Sequence, residues 1–219
     1  MSQPTFTKVL DQVLDALMMH AHQQISMLIT QAQVHAGKAR FYSIAHFSNT
    51  IAALDCNHVV LVTLPQAIEQ AYCNRKQNHS VNVQVICDAD LTISHRCAEY
   101  PHATNDALIL CSSTLHAYME RHRGQHTWLV GDVGYLQLPW IMTHVRNPAT
   151  PQEMVYNEAQ RRTRSGIERT FGLLKSRFRS LHHTGGALMY SPEKVEKIIV
   201  VYAMLHNMCI RSNVTMPAD

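Results

Sequence analysis

The chain has 219 residues and a formal net charge of +3 at pH 7, and 46% of its residues are hydrophobic. This composition excludes a disordered chain and suits one globular domain with its own core. The six cysteines include no C-x-x-C pair, which argues against a zinc ribbon or a thioredoxin-like site. The longest apolar run, residues 198–205, is too short for a membrane span, and residues 1–12 carry no secretory pattern, so we expect a reducing compartment and no membrane.

The first half of the chain predicts a helix, a strand and a hairpin. Apolar residues at three- and four-residue steps predict a helix over residues 5–33, which Gly37 ends. Residues 51–64 are apolar and partly β-branched, and they predict a strand. Residues 81–90 and 91–100 meet at an Asp-Ala-Asp turn signal and predict a hairpin.

The second half predicts three helices and a short strand. A helix is expected from about 105 to 121, followed by a buried strand over 127–132. A long helix is expected over 152–181, and a last helix begins at Ser191-Pro192-Glu193. This order of elements predicts a mixed sheet flanked by helices, in the α/β or α+β class.

Three acidic residues occupy unusual positions. Asp55 lies inside an apolar strand, where a carboxylate is costly unless it is paired or bound to metal. Asp132 ends the second strand, at a position that commonly faces a ligand crevice in α/β folds. Glu168 lies on the long helix, at the border between an apolar stripe and a cationic face.

Each of these acids also has a purely structural interpretation. Asp132 suits a turn, Asp55 suits a hairpin or a cap, and Glu168 suits a salt bridge with Arg164 four residues earlier. Other acids compete on the same grounds, namely Asp88, Asp90 and Asp106. Spacing alone does not choose among them.

Positive charge is concentrated in one segment. Residues 161–179 hold seven Arg or Lys residues against one acid, Glu168, so this segment carries the whole positive excess of the chain. Such a distribution is typical of a face that binds a polyanion.

Several segments, taken in order, carry a resemblance to a known family. They resemble the catalytic region of the PIF/Harbinger DDE transposases and of the nucleases derived from them, over about residues 45–211. The segments are LDCNHVVL, NRKQNHSVNVQVICDADL, PHATNDALIL, WLVGDVGY, WIMTHVRNPATPQEMVYNEAQ, IERTFGLLKSRFRSL and GALMYSPEKVEKIIVVYAMLHNMC.

The resemblance implies a fold and a division of the chain. The fold is α/β, a ribonuclease H-like mixed sheet flanked by helices, with an N-terminal helical segment. The expected parts are an N-terminal helical segment (1–44), a DDE nuclease domain (45–211) and a C-terminal tail (212–219). The N-terminal segment is short for the family, and residues 5–33 show no convincing DNA-recognition helix.

The resemblance also assigns the three acids. Asp55, Asp132 and Glu168 match the catalytic, metal-holding residues of the family, although the D-G-T-H motif around the first acid reads D-C-N-H here. The implied cofactor is Mg²⁺ or Mn²⁺, because hard cations prefer carboxylate oxygens. The implied mechanism is hydrolysis by two metal ions.

Other residues take supporting roles in this interpretation. His58 and Asp106 are expected to stand behind the metal ligands. Contacts to the DNA backbone are expected from four basic residues near Glu168, namely Arg161, Arg164, Lys175 and Arg179.

The leading hypothesis is a metal-dependent DNA endonuclease of transposase descent, without autonomous transposition. The alternative is a non-catalytic DNA- or protein-interaction module derived from a transposase, and a third is a structural α/β protein with incidental acids. The expected partners are DNA, a Myb/SANT-like DNA-binding protein and a second copy of the chain. The resemblance implies the nucleus, reached with the partner, and the cytoplasm.

Overall fold

A computed structural model describes residues 3–27, 30–62, 72–73, 79–101, 104–182 and 186–214 of the chain. Within these ranges one sheet has five strands, which are β1 (Thr50–Leu61), β2 (His79–Cys87), β3 (Ile93–Pro101), β4 (Trp128–Val130) and β5 (Ile141–Met142).

The described ranges also contain six α-helices. They are α1 (Gln3–Gln24), α2 (Gln31–Ala45), α3 (Asp106–Ser112), α4 (Thr114–Arg121), α5 (Pro151–Arg177) and α6 (Pro192–Arg211). Short 3₁₀ turns follow α4 and α5. None of the helices in the described part of the chain combines the length and the apolar character of a membrane span.

Strand β1 lies at the centre of the sheet, in the order β3-β2-β1-β4-β5. It pairs antiparallel with β2 and parallel with β4, so the sheet is mixed. The predicted fold, a ribonuclease H-like mixed sheet flanked by helices with helix at the N-terminus, is confirmed. The hairpin of β2 and β3 is also confirmed, and Asp88 closes its turn by accepting from the N–H groups of Asp90 and Thr92.

Apolar side chains cover both faces of the sheet. On one face the predicted stripe of α5, with Ile167, Phe171 and Leu174, packs against β1, β2 and α6. On the other face Leu110 of α3 and Leu115 of α4 pack with the buried Trp140. The long helix therefore lies directly across the strand that carries Asp55.

The predicted single helix over residues 5–33 is wrong, because α1 ends at Gln24 and α2 begins at Gln31. Thr30 caps α2 in a capping box with Gln33, which satisfies N–H groups that an uninterrupted helix would bond internally. The expected stop at Gly37 is also wrong, since Gly37 is buried inside α2. The cap, which periodicity does not reveal, decides where this helix starts.

Three other predicted boundaries shift. The helix expected over 105–121 is divided at Ser113, whose backbone is extended and whose hydroxyl donates to the carbonyl oxygen of Leu110. The long helix ends at Arg177 rather than at residue 181, and a 3₁₀ turn follows. Strand β1 ends at Leu61, and residues 63–64 of the predicted strand lie outside the described residues.

One buried amide joins distant parts of the chain. Asn207 of α6 accepts from the N–H of Ile93 at 2.8 Å and donates to the carbonyl oxygen of Ile93 at 2.7 Å. The same amide nitrogen donates to the carbonyl oxygen of Gln24, the last residue of α1, at 2.8 Å. Close by, Leu14 of α1 packs against α6. The N-terminal helix is therefore docked on the domain and does not stand apart from it.

Candidate active site

Asp55 lies in β1, and Asp132 lies two residues after the end of β4, the strand that pairs parallel with β1. Ala53 of β1 is opposite Val130 of β4, and Asp55 and Asp132 come two residues later on each chain segment. A step of two residues returns to the same face of a sheet, so the strand pairing brings both carboxylates together. The negative charge of Asp132 reaches Asp55, since it contributes to raising the pKa of Asp55.

Asp55 is a half-buried carboxylate with two close donors. Its Oδ2 accepts from Nη1 of Arg164 at 2.7 Å, and its Oδ1 accepts from the N–H of Cys56 at 2.9 Å. Burial raises the pKa of Asp55, while the Arg164 guanidinium and the Cys56 N–H oppose that rise. Arg164 therefore offsets part of the cost of burying the charge of Asp55.

The turn after β4 orients Asp132. The N–H of Gly134 donates to Oδ1 of Asp132 at 2.8 Å. A Cβ at position 134 would lie 3.1 Å from that oxygen, and a Cβ at Gly131 would lie 2.9 Å from the ring of Tyr135, so both glycines let the turn close. From α5, the buried Gln160 donates to the carbonyl oxygen of Gly131 at 2.7 Å. The helix therefore fixes the turn that carries Asp132.

Glu168 joins the site through Arg164. The two residues lie one turn apart on α5, and Nη2 of Arg164 donates to Oε1 of Glu168. The other guanidinium nitrogen of Arg164 contacts Asp55, so one side chain links two of the three acids. The Arg164 side chain is 22% exposed and the Glu168 side chain 56%. Glu168 therefore lies at the mouth of the site and Asp55 at its base.

The three acids share one location but are not arranged as a metal cage. Across the ranges given above, the structure contains no group of three or more His, Cys, Asp or Glu side chains placed to hold a metal ion. Positive charge is instead supplied by the guanidinium of Arg164, which lies between Asp55 and Glu168.

A polar cluster lies on the opposite face of β1, directly behind Asp55. Cys56 contacts the hydroxyl of Tyr135 at 3.2 Å, and Asn82 donates to Oδ1 of Asp106 at 2.9 Å. Burial, with the charge of Asp106 adding to it, raises the pKa of both Cys56 and Tyr135, so each stays protonated at neutral pH. Asp106, one of the two predicted supporting residues, thus reaches the site through Cys56.

His58, the other predicted supporting residue, is exposed on β1 three residues after Asp55. Its Nδ1 lies 3.4 Å from the hydroxyl of Ser80 on β2.

The four predicted DNA contacts fall into two kinds. Lys175 donates to Oδ1 of Asn57 on β1 at 2.7 Å, and burial lowers the pKa of Lys175. Arg164 is likewise directed at β1 through its bond to Asp55. Arg161 is 73% exposed and pairs with an acid one turn earlier, and Arg179 is exposed in the turn after α5. Arg164 and Lys175 therefore bond to side chains of β1, whereas Arg161 and Arg179 are exposed to solvent.

Several supporting residues escape sequence reasoning. Gln160 is a polar residue on the buried face of α5, which is the one signal that could have singled it out. Tyr135, Cys56 and Asn57 adjoin the matched acids in sequence, but their partners lie far away along the chain. Only the four-residue spacing of Arg164 and Glu168 indicated a pair from the sequence.

Comparison with known proteins decides the family. The family model described as "DDE superfamily endonuclease" matches residues 54–207. The chain belongs to this family. The match includes Asp55, Asp132 and Glu168 and begins in the central strand.

Relatives within the family are longer than this chain. "Putative nuclease HARBI1" of Bos taurus and of Homo sapiens are each 36% identical to it over 209 residues, which is 95% of this chain and 60% of the relative. "Protein ALP1-like" of Arabidopsis thaliana is 25% identical over 192 residues, or 79% of this chain and 46% of that protein. The chain thus spans 60% of the length of the cattle and human relatives. No solved structure matches it.

The donor chemistry of the site fits the divalent cations that DDE superfamily endonucleases generally use. Asp55, Asp132 and Glu168 supply only carboxylate oxygens, the ligands that Mg²⁺ and Mn²⁺ prefer. The Arg164 guanidinium already occupies a position of cationic charge between two of them.

Proposed function

We propose that this chain hydrolyses phosphodiester bonds in DNA, in a reaction that needs Mg²⁺ or Mn²⁺ held by Asp55, Asp132 and Glu168. The observation that carries the proposal is the placement of Asp55 in β1 and of Asp132 just after the parallel neighbour β4, with Glu168 linked to Asp55 by Arg164. Carboxylates brought together in this way repel one another unless cations balance them.

The family supports this choice of chemistry. A pair of such cations held by Asp55, Asp132 and Glu168 would supply activation of a water molecule and stabilisation of the leaving oxygen. The chain itself contributes oriented oxygens, because the N–H groups of Cys56 and Gly134 each fix one carboxylate. Gln160 holds the backbone just before Asp132, so the two strand ends keep their relative positions.

The charge distribution supports a polyanionic substrate. Arg161 and Arg179 are exposed on or just after the helix that carries Glu168. Contacts between such side chains and phosphates are independent of base sequence and weaken as salt rises. We therefore propose that DNA lies along this helix.

We further propose a Myb/SANT-like DNA-binding partner, which would supply sequence recognition, and a nuclear location reached with it. Self-association of the chain is part of the same proposal.

A second function, a DNA- or protein-interaction module without catalysis, is favoured by the ion pairs of Arg164. The single positive charge of Arg164 offsets part of the negative charge of Asp55 and Glu168 without any metal. The experiment below separates the two functions.

The test compares two glutamates of α5 that have the same chemistry. Glu168→Gln keeps the size of the side chain and removes its charge, and we expect the rate of plasmid nicking to fall at least about a hundredfold. Glu158→Gln makes the same change in a glutamate that is 54% exposed and pairs with Arg161 on the same helix. We expect that control to nick at the parent rate.

The measurement is conversion of supercoiled plasmid to the nicked form, with Mg²⁺, with Mn²⁺ and with chelator. Equal activity of the parent and Glu168→Gln would remove Glu168 from the site. If the parent binds DNA but nicks it with neither cation, even when the partner protein is added, the interaction module is the correct function.

A further inference from the structure

Arg164 is placed differently from the other arginines of α5. Nη1 donates to Oδ2 of Asp55 at 2.7 Å, and Nη2 donates to Glu168. One planar guanidinium therefore spans a strand carboxylate and a helix carboxylate at the same time. Its side chain is 22% exposed, and that of Asp55 is 20% exposed. Both charges of this pair are partly withdrawn from water.

A matched ion pair on the same helix shows that this placement is not the ordinary behaviour of its residues. Arg161 and Glu158 also lie about one turn apart and form a salt bridge, at 2.8 Å, but their side chains are 73% and 54% exposed. In the described ranges, neither side chain of that pair forms a hydrogen bond or an ion pair with a strand residue. The difference comes from where the helix meets the sheet.

We propose that Arg164 is an exchangeable counter-charge, which holds Asp55 and Glu168 together in the metal-free site and leaves them when a divalent cation binds. The inference rests on the proposed function and deepens it, because it names how that site is kept assembled before the cation arrives. Arg164 donates to Oδ2 of Asp55 and to Oε1 of Glu168, and its positive charge repels a divalent cation at the same two carboxylates, so Arg164 and the divalent cation compete.

The charges around Asp55 favour the exchange of Arg164 for a divalent cation over a purely structural role of Arg164. Asp55 faces the negative charge of Asp132 as well as its own loss of hydration. Removing Arg164 therefore leaves acids that repel one another, which destabilises the metal-free protein. The same removal frees carboxylate oxygens, which strengthens the binding of a divalent cation.

The two effects have opposite signs, and that is what a structural role does not produce. If the Arg164 salt bridges only supported the fold, removing Arg164 would lower both the stability of the protein and its affinity for the metal. Exchange predicts a metal-free Arg164→Gln protein that melts at a lower temperature than the parent and binds Mn²⁺ roughly tenfold more tightly, which corresponds to about 1.4 kcal/mol.

A second variant keeps the charge and changes its shape. Lysine is a point charge and cannot present two fixed N–H groups to two carboxylates as arginine does. We expect Arg164→Lys to fall between the parent and Arg164→Gln in both metal-free melting temperature and Mn²⁺ affinity. This variant also reports on the site if Arg164→Gln fails to fold.

The experiment is calorimetric titration of the full chain with Mn²⁺ alone, without DNA, together with thermal unfolding in chelator. Arg161→Gln is the matched control and is expected to change neither Mn²⁺ affinity nor melting temperature. Mn²⁺ binding by Arg164→Gln or Arg164→Lys that is equal to or weaker than that of the parent would overturn the inference.

The failure of this inference can be told apart from failure of the proposed function. A parent that nicks DNA, with Arg164 variants that bind Mn²⁺ no more tightly, overturns the inference alone. Tighter Mn²⁺ binding by the variants, in a protein that never nicks DNA, overturns the function alone. Absence of Mn²⁺ binding in the parent and in every variant overturns both.

Discussion

Helix α5 has two halves that differ in what they touch. The first half, residues 151–161, begins at a capping box of Thr150 and Glu153 and keeps one face in solvent, with Val155 71% exposed, while Gln160 on its other face is buried. The second half, residues 163–177, packs on the sheet through residues such as Ile167, which is fully buried.

Both halves carry a glutamate–arginine pair about one turn apart, so the comparison separates chemistry from location. The pair of the first half is exposed, and such pairs contribute little to stability. The pair of the second half meets Asp55, and only there does it become part of a candidate active site. The position of a charge relative to the sheet therefore decides what it does, more than its residue type.

The largest expected contrast between the halves is in stability. Ile167→Ala should lower the free energy of unfolding by about 2–5 kcal/mol, because it empties a fully buried site between helix and sheet. Val155→Ala makes a similar change on the exposed half and should cost less than about 0.5 kcal/mol. Urea unfolding of both variants measures the difference. Comparable losses would show that the solvent-exposed face of the first half is packed as well.

The second prediction concerns the pH dependence of stability at Arg177, the last residue of α5. Nη1 of Arg177 donates to Nδ1 of His206 at 3.0 Å, so Nε2 carries the proton and donates to the carbonyl oxygen of Leu91 at 2.9 Å. Burial, and then the charge of Arg177, lowers the pKa of His206. The unfolded chain therefore takes up a proton before the folded one does, and stability that is present above about pH 6.5 is lost as the pH falls.

His206→Gln keeps a hydrogen-bond donor and an acceptor but does not titrate. We expect its free energy of unfolding to fall by about 1 kcal/mol less than that of the parent when the pH is lowered from about 7 to about 5. Chemical unfolding at several pH values measures this. Burial also lowers the pKa of His95, to about 4, so the parent and the variant share that part of the acid response. Identical pH profiles would show that His206 does not set the slope.

The smallest contrast concerns DNA. Arg161 is exposed, so Arg161→Gln should reduce the slope of log affinity against log salt by about 1 and leave the free energy of unfolding nearly unchanged. Lys175→Gln, in the second half of the helix, should change the slope less, because Lys175 donates a hydrogen bond to Asn57. Fluorescence anisotropy with a short duplex at several salt concentrations measures both. Equal changes in slope for Arg161→Gln and Lys175→Gln would mean that DNA also contacts the second half of the helix.

Part of this arrangement could be predicted from the sequence. Asp132 follows a short apolar strand and Asp55 interrupts another, so the order of residues along the chain marks both as candidates, and the family resemblance selects them over the other acids. The stripe of Ile167, Phe171 and Leu174 predicted the buried face of the long helix, since a helix must hide its apolar side.

The remaining contacts of the site depend on strand register, which joins residues 77 apart at Ala53 and Val130, and on helix caps, and local sequence patterns contain neither. The pairing of Ala53 with Val130 is what places Asp55 beside Asp132, and it is set by two strands about 75 residues apart in a mixed sheet. Spacing predicted a bond between Arg164 and Glu168, but not the second bond to Asp55. The break before α2 was missed because it depends on the Thr30 cap.

Asn207 has a consequence for how the domain assembles. Its amide is satisfied only when the end of α1, the start of β3 and the last helix have all arrived at one point. A chain that lacks any one of the three would bury a polar group without its partner, at a cost of about 1–3 kcal/mol. The Asn207 side chain thus stabilises the domain in which all three elements are docked, relative to forms in which one of them is undocked.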